Sequence, residues 1–479
     1  MLSRSHLQIQ TTGVVLIDIL CLLAGSVLGV MFGVGPEEMP HYVTNHLDGW
    51  LIFVGSIVLA NYLAGSYRVH YRFSRFNVVV TWLFSLTFAL LVLSITSLAW
   101  FRLLLGRGVL VLAVGIYSLL SLPAKMLVYE HVFRTAVFTC RAVVVGCGPW
   151  AEWARATLES RWILPRHQVV AYLVPEVDPG AHPEEWRDFH DGVAVVHATP
   201  DHIGDVVRSL GSDLVVLAVD RPEERRLYGI LRRLRFTGVE VLSRLAVAEV
   251  YTGRTPLELI DENDVFQASL ESRVPVVFRL KRVSDVLVSL LALLLFVPVI
   301  FLVALAIKVS APRSPVLYIQ TRSGQFGHLF RIIKFRTMQP DAEAGTGPIW
   351  SVEDDPRITP LGRWLRRFRL DELPQLINVL RGEMSLVGPR PERPELVTEL
   401  EAKIPFYAER SNLVPGLSGW AQIQYPYGNT VDDAARKLEY DLYYMKYMNL
   451  SLDLQIILRT LRIVLLGVER DEIDHPVPG

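Results

Sequence analysis

Residues 286–307 read VLVSLLALLLFVPVIFLVALAI, an uncharged run with a single proline, Pro298, near its middle. A helix needs ~20 apolar residues to cross a bilayer, so length alone makes this segment a span. Two features argue for another reading. Arg279, Lys281 and Arg282 precede the run, and Lys308, Arg313, Arg322, Arg331, Lys334 and Arg336 follow it. Positive charge favours the cytoplasmic side, and here it stands on both flanks. Pro298 also removes one backbone hydrogen bond and bends a helix. We read a re-entrant helix at about 284–309, which enters the membrane, breaks at Pro298 and returns to the cytoplasmic face, with protein groups taking up the freed carbonyls. The alternative, a full crossing, would carry everything after residue 310 out of the cell.

Upstream, four further apolar stretches occupy residues 13–34, 47–63, 78–100 and 109–128, each near spanning length. With 479 residues, 51% hydrophobic residues and a mean hydropathy of +0.32, the chain is too long for one domain and too apolar for an ordinary soluble protein. The stretches read as a four-helix membrane bundle. Arg68, Arg72 and Arg75 follow the second stretch and Lys125, Arg134 and Arg141 the fourth, whereas the first loop holds Glu37 and Glu38. That bias places both ends of the bundle in the cytoplasm, with Arg102 and Arg107 running against it. The N-terminal Arg4 and His6 precede a run too long for a signal-peptide core and without a small-residue cleavage site, so the first span is read as retained. Asp18 inside it must face a neighbouring helix rather than lipid. Cys21, Cys140 and Cys147 have neither an even count nor metal-ligand spacing, which argues against a disulfide framework.

From about Cys140 the pattern changes to apolar runs at 142–145, 169–173, 214–219 and 239–242 separated by polar helical stretches, the alternation of a parallel α/β sheet. The first run leads into Gly146-Cys147-Gly148-Pro149-Trp150-Ala151, which fits a dinucleotide fingerprint at a helix start. Gly146 and Gly148 are therefore weak candidates for cofactor binding. Pro149 and Trp150 crowd the phosphate position, and Glu176 is a poor ribose-binding acid, so a structural or regulatory Rossmann-like domain is the favoured reading and nucleotide binding the alternative. The fold class is thus a membrane protein of three domains. Residues 1–135 form the four-helix transmembrane bundle, 136–265 the Rossmann-like domain, and 266–479 a mostly α catalytic domain with the re-entrant helix.

The chemistry concentrates in the last of these. Arg322, Gly324, Gly327, Lys334 and Arg336 fall in one short polar stretch, and mixed Arg and Lys beside glycines suit anionic oxygens; a lipid-headgroup face is the plainer alternative. Further on, Leu370-Asp371-Glu372-Leu373-Pro374-Gln375-Leu376 follows Arg366, Arg367 and Arg369. Pro374 suits the first turn of a helix ended by Gly382, which places Asp371 and Glu372 at a helix start, where anions and cations can be handled together. Adjacent carboxylates with upstream arginines can hold a divalent cation and a diphosphate at one point. A carboxylate can also act as nucleophile and form an acyl-phosphate. Taken alone, the pair is no more than a charged helix start.

Four blocks in order give the pair its context. They are Arg322-Ser323-Gly324 through Lys334-Phe335-Arg336-Thr337-Met338, then Leu370 through Leu376, then Gly382-Glu383-Met384-Ser385-Leu386-Val387-Gly388-Pro389-Arg390-Pro391, and Val414-Pro415-Gly416-Leu417-Ser418-Gly419-Trp420-Ala421-Gln422. Together they closely resemble the bacterial sugar transferase family, the monotopic polyprenyl-phosphate hexose-1-phosphate transferases, over about the last 200 residues. The bundle and middle domain look like the long exopolysaccharide-type members. The resemblance implies a phosphoglycosyl transferase of the bacterial inner membrane, with its catalytic domain on the cytoplasmic face. Such an enzyme moves hexose 1-phosphate from a UDP-sugar to undecaprenyl phosphate with Mg²⁺ as cofactor. It further implies Asp371 as nucleophile and Mg²⁺ ligand, Glu372 as its dyad partner, Arg366 as a phosphate contact, Arg390 in the loop that meets the uridine, and Pro298 as the helix-breaking residue. Val297 departs from the serine that often precedes that proline. A homodimer is expected and nucleic acid is not.

The tail, Leu438 to Leu466, mixes Tyr440, Tyr443, Tyr444 and Tyr447 with Lys446, Arg459 and Arg462, which suits helices at the membrane interface as well as ordinary core helices. A nucleotide-sugar dehydratase or epimerase would carry Tyr-x-x-x-Lys, and no tyrosine here has a lysine four residues on. An inactive assembly scaffold is disfavoured by the intact Asp371, Glu372, Arg366 and Arg390.

Overall fold

The computed structural model describes residues 3–63, 66–67, 75–99, 105–135, 138–146, 148–160, 166–175, 192–219, 221–271, 275–339, 355–425, 428 and 430–466. The chain divides into two compact units, Met1–Thr252 and Gly253–Ile473. The second unit therefore begins before the boundary read from the sequence at 265.

In the first unit, helices Ser3–Val34, Leu47–Leu63, Arg75–Ala99 and Arg107–Glu130 correspond to the four apolar stretches, with a short Met39–Asn45 helix between the first two. Thr12–Val34 and Arg107–Glu130 are long and apolar enough to cross a membrane. Met39–Asn45 with Leu47–Tyr62, bent by 75°, would count as a broken span, and Thr81–Ser97 is a shorter apolar helix. The first and fourth helices touch through Gly25, Gly29 and Gly33, where any Cβ would overlap Ala113, Tyr117 or Val109 of the partner. Small residues let backbones approach in lipid, where burial of apolar surface drives nothing.

Asp18 is fully buried. It accepts hydrogen bonds from Asn61 (2.8 Å), Tyr67 (2.8 Å) and Tyr117 (2.9 Å), and Lys125 Nζ lies 3.0 Å away. Ser85 donates to Asn61 Oδ1 at 2.9 Å, so the network reaches the third helix as well. Asp18 thus faces its neighbours as the sequence demanded. Asp18→Ala should strand the Lys125 ammonium in a buried site at a cost of ~3–5 kcal/mol, whereas Asp18→Asn keeps part of the network. Thermal unfolding in detergent checks this, and an Asp18→Ala protein melting with the wild type would rule out a stabilising role. Arg68, Arg72, Arg102, Cys147 and Glu176 lie outside the described residues, as do the side chains of Arg4, His6, Arg75 and Arg134.

The unit's α/β part holds strands β1 (Cys140–Val145), β2 (His167–Pro175), β3 (Ala194–Ala198), β4 (Leu214–Leu217) and β5 (Glu240–Ser243) in the all-parallel order β3-β2-β1-β4-β5. This is a Rossmann-like half sheet. β3 was not anticipated, because AVVHA is short and its pattern weak.

In the second unit, helix Pro275–Ser310 is one element with Pro298 inside it. The break expected at Pro298 is corrected accordingly. Proline removes its own bond to the carbonyl four residues back, but the turns on either side keep theirs. The helix carries a stripe of inward residues: Lys281, Asp285 and Ser289 near one end, Val303 and Ile307 near the other. Lys281 pairs with Asp453 at 2.6 Å, and Arg282 donates to the Val379 and Leu380 carbonyls at 2.6 and 2.8 Å. Asp285 accepts from Ser385 Oγ at 2.7 Å and Leu386 N at 3.2 Å. At the far end, Val303 and Ile307 join Phe335 and Leu365 in one apolar cluster. The opposite face, including Leu287, Leu291, Leu294, Leu295, Phe301 and Leu302, is exposed.

The unit is mostly α, as expected, with two short strand pairs set among its helices. β6 (Leu317–Ser323) and β7 (Leu329–Phe335) form an antiparallel hairpin, and β8 (Ser385–Val387) pairs in parallel with β9 (Gly416–Ser418). Gly388, Gly416 and Gly419 clasp the latter pair, since a Cβ on any of them would overlap the backbone of the facing segment. The core gathers Leu376, Val379, Val387, Leu400, Trp420, Leu438, Tyr444 and Ile456 around these strands.

Candidate active site

Asp371 and Glu372 lie on a 3₁₀ turn, Leu370–Glu372, and both are buried. Arg369 before them takes φ +50°, an uncommon left-handed conformation for a side-chain-bearing residue, and so separates the turn from helix Pro360–Arg367. The following helix runs from Gln375 to Arg381, with Pro374 as its N-cap and Gly382 closing it at φ +85°. The helix-start placement therefore holds, with the pair one short turn ahead of the helix proper.

The two carboxylates have unlike surroundings. Glu372 Oε1 accepts from Arg390 Nη2 at 3.1 Å and lies 3.6 Å from Lys334 Nζ, and Oε2 lies 3.7 Å from Arg369 Nη1. Burial works to raise its pKa, but Arg390, Lys334 and Arg369 outweigh it and hold the carboxyl well below the ordinary range. Asp371 has no hydrogen-bond or ion-pair partner among the described residues. Burial, then the Glu372 charge, push its carboxyl up, against the pull of Lys334, Arg366 and Arg390. One carboxylate is fixed and the other is available.

Lys334 reaches the pair from β7. Asn378, fully buried on the Gln375–Arg381 helix, ties the two elements together: Oδ1 accepts from Ile333 N at 3.1 Å, and Nδ2 donates to Arg331 O and Glu383 Oε2, each at 2.7 Å. Burial first, then Arg390 and Arg322, lower the Lys334 pKa to about 8. Arg366 donates from Nε to Thr337 Oγ1 at 2.9 Å. That contact is possible because Gly362 lets the helix lie on Thr337, whose carbonyl a Cβ would overlap.

The other expected contacts divide. Arg390 lies in the 388–393 loop, and its guanidinium reaches Glu372. Arg322 is turned to the 388–393 loop, with Nη1 3.4 Å from the Pro391 carbonyl and 3.8 Å from Glu392, and Nη2 donating to Gln320 at 2.7 Å. Arg336 Nη1 is buried without a hydrogen-bond partner among the described residues. Gly146 and Gly148 belong to the first unit, with φ of +111° and +104°. A Cβ on Gly146 would press on Ala218 and Val219, which gives that glycine a packing reason independent of any ligand. Asn378, Arg410 and Asp441 were missed. Only Asn378, a polar residue amid Leu376, Val379 and Leu380, carries a local signal.

No group of three or more His, Cys, Asp or Glu among the described residues is arranged to hold a metal ion. A hard divalent cation needs less, since one or two carboxylates with substrate phosphates and water suffice. Asp371, having no donor on it, fits that demand.

The fold and site define a membrane-associated α/β domain whose buried acidic pair is bracketed by cations from three separate segments. A family model described as bacterial sugar transferase matches residues 276–467. An exopolysaccharide production protein of Rhizobium leguminosarum bv. phaseoli is 40% identical over 186 residues, 38% of this chain and 92% of that protein. A UDP-N-acetylgalactosamine-undecaprenyl-phosphate N-acetylgalactosaminephosphotransferase of Aeromonas hydrophila is 38% identical over 237 residues, 50% of this chain and 55% of the relative. An undecaprenyl-phosphate glucose phosphotransferase of Komagataeibacter xylinus is 43% identical over 187 residues, 38% and 35% respectively. The chain thus spans about half, or about a third, of the length of these last two. It belongs to the bacterial sugar transferase family.

Proposed function

We propose that this chain transfers hexose 1-phosphate from a UDP-sugar to undecaprenyl phosphate, giving undecaprenyl-diphosphate-sugar and UMP, as the first membrane step of exopolysaccharide, capsule or O-antigen synthesis. The observation that carries the reading is the asymmetry of the dyad: Glu372 is gripped by Arg390, Lys334 and Arg369 while Asp371 has no donor on it. A Asp371 oxygen attacks the β-phosphorus, the bond from that phosphorus to the bridging oxygen breaks, and UMP leaves. The lipid phosphate oxygen then attacks the same phosphorus, and the Asp371 carboxylate is regenerated. Lys334 and Arg366 supply positive charge beside the reacting phosphate, and Glu372 keeps the cations in place. Asp371 would also hold Mg²⁺, which when bound neutralises diphosphate charge.

The membrane helix supports a cytoplasmic, inner-membrane placement. Lys281 and Arg282 near one end and Val303 and Ile307 near the other all pack on the same unit, and positive charge flanks the helix on both sides, as a helix held at one membrane face requires. The outward leucines then face lipid. Self-association as a dimer belongs to the same reading and is checked by light scattering in detergent. The sugar is proposed to be glucose or galactose. The test is UMP release from purified protein with Mg²⁺, undecaprenyl phosphate and a panel of UDP-sugars that includes the N-acetylated ones. Absence of UMP with every sugar would overturn the proposal.

A pH dependence follows. The folded-state pKa of Lys334 is depressed to about 8, so its positive charge is complete well below that pH and is lost as pH rises through it. kcat/KM should fall above pH ~8, and the limb should disappear in Lys334→Arg, whose guanidinium stays charged. An alkaline limb unchanged in that variant would assign it to another group.

A further inference from the structure

We propose that Arg410 is a positioning residue which, from behind the 388–393 loop, holds the Arg390 carbonyl and thereby sets the Arg390 guanidinium against Glu372. The inference rests on the transferase reading only for its consequence in catalysis. Arg410 Nη2 donates to Arg390 O at 3.0 Å and lies 3.0 Å from Asp441 Oδ2, while Nη1 donates to Tyr407 OH at 2.6 Å. The Arg410 guanidinium also sits 5.1 Å from the centre of the Tyr407 ring. Its side chain is 13% exposed and that of Asp441 3%. Arg410 therefore touches neither carboxylate of the dyad and acts through residue 390 alone.

Several features make the strut effective. Arg390 stands between Pro389 and Pro391, whose rings fix their own φ and restrict the residue before each. Movement of the Arg390 carbonyl therefore carries its Cα and side chain along. On the other side of the loop, Arg322 and Ser323 hold Pro391 and Glu392, with Ser323 N donating to Glu392 O at 2.9 Å. The carbonyl of residue 390 is the point these leave to Arg410. A planar guanidinium can meet a carbonyl, a carboxylate and a phenol at once, which an ammonium on a flexible stem cannot do in the same geometry. A buried ion pair is also a poor way to stabilise a core compared with apolar packing, so its presence here is better explained by what it orients.

The test is a double-mutant cycle on the full chain in detergent, read as UMP release with Arg410→Met, Arg390→Met and both together. Arg410→Met should lower kcat by up to about 10²-fold, the scale of a misplacement near 1 Å, with KM for the UDP-sugar changing far less. In the Arg390→Met background the same change should cost less than about threefold, since no guanidinium remains to be placed. Equal losses in both backgrounds would mean general support of the domain and overturn the inference. Asp441→Asn, which weakens the pair while keeping its shape, serves the same cycle if Arg410→Met does not fold. Hydrogen exchange of the peptide spanning 386–393 tests the strut without turnover: faster exchange in Asp441→Asn is expected, and unchanged exchange would overturn it. A wild-type protein that releases no UMP would instead defeat the transferase reading, with the exchange result standing on its own.

Discussion

Asp371→Asn is expected to lose UMP release by at least about 10³-fold in kcat, the scale at which removal of a nucleophile acts. It should nevertheless fold as well as the wild type or better. The amide has the shape of the carboxylate but no charge with which to attack phosphorus. Ionised Asp371 is disfavoured in the folded protein by burial and by the Glu372 charge, and no hydrogen bond among the described residues is lost with it. Neutralising it therefore relieves repulsion. Turnover and thermal unfolding measured together check both halves. Near-normal turnover would show that the nucleophile is elsewhere, and a large loss of stability would show that Asp371 is a structural anchor.

Glu372→Gln should act in the opposite sense on stability. Its carboxylate is the shared partner of Arg390, Lys334 and Arg369, and removing the charge leaves three cations crowded in a buried place. A loss of ~3 kcal/mol is expected, in the range for breaking a buried pair. Activity should fall by about 10²-fold as the positive groups lose their arrangement. An Asp371→Asn protein that melts higher beside a Glu372→Gln protein that melts lower is the signature of an unequal dyad. The reverse pattern in both assays would exchange the two roles.

Much of this arrangement is legible in sequence because it is local. The four apolar stretches correspond to four helices, and Asp18 within the first found its partners on others, since an ionised group in lipid has no alternative. Adjacent Asp371 and Glu372, with Pro374 and Gly382 marking a helix behind them, could be placed from short-range rules. The failures are where distant contacts decide. The β6–β7 hairpin was hidden because LYIQTRS and LFRIIKF carry Arg322, Arg331 and Lys334 among apolar residues, which masks strand alternation. Its turn signal was Gly324 with Gly327, where Phe326 and Gly327 both adopt positive φ. Pro298 was given too much power: a proline deletes one helical bond, and the bonds around it carried the helix through. Arg322 reads as a phosphate contact from composition, but its guanidinium bonds Gln320 two residues back and reaches the Pro391 carbonyl far along the chain, a contact that composition does not contain. The Arg410–Asp441 pair is likewise set by tertiary packing, which no spacing rule contains.

The most direct test of the central claim is to incubate the protein with a UDP-sugar in the absence of lipid acceptor, quench, and map peptides by mass spectrometry. The account predicts UMP in an amount matching the enzyme, together with the mass of one hexose phosphate on the peptide bearing Asp371, absent in Asp371→Asn and cleared on adding undecaprenyl phosphate. UMP release that waits for the lipid acceptor, with no adduct at any stage, would contradict it and favour direct transfer between the two substrates.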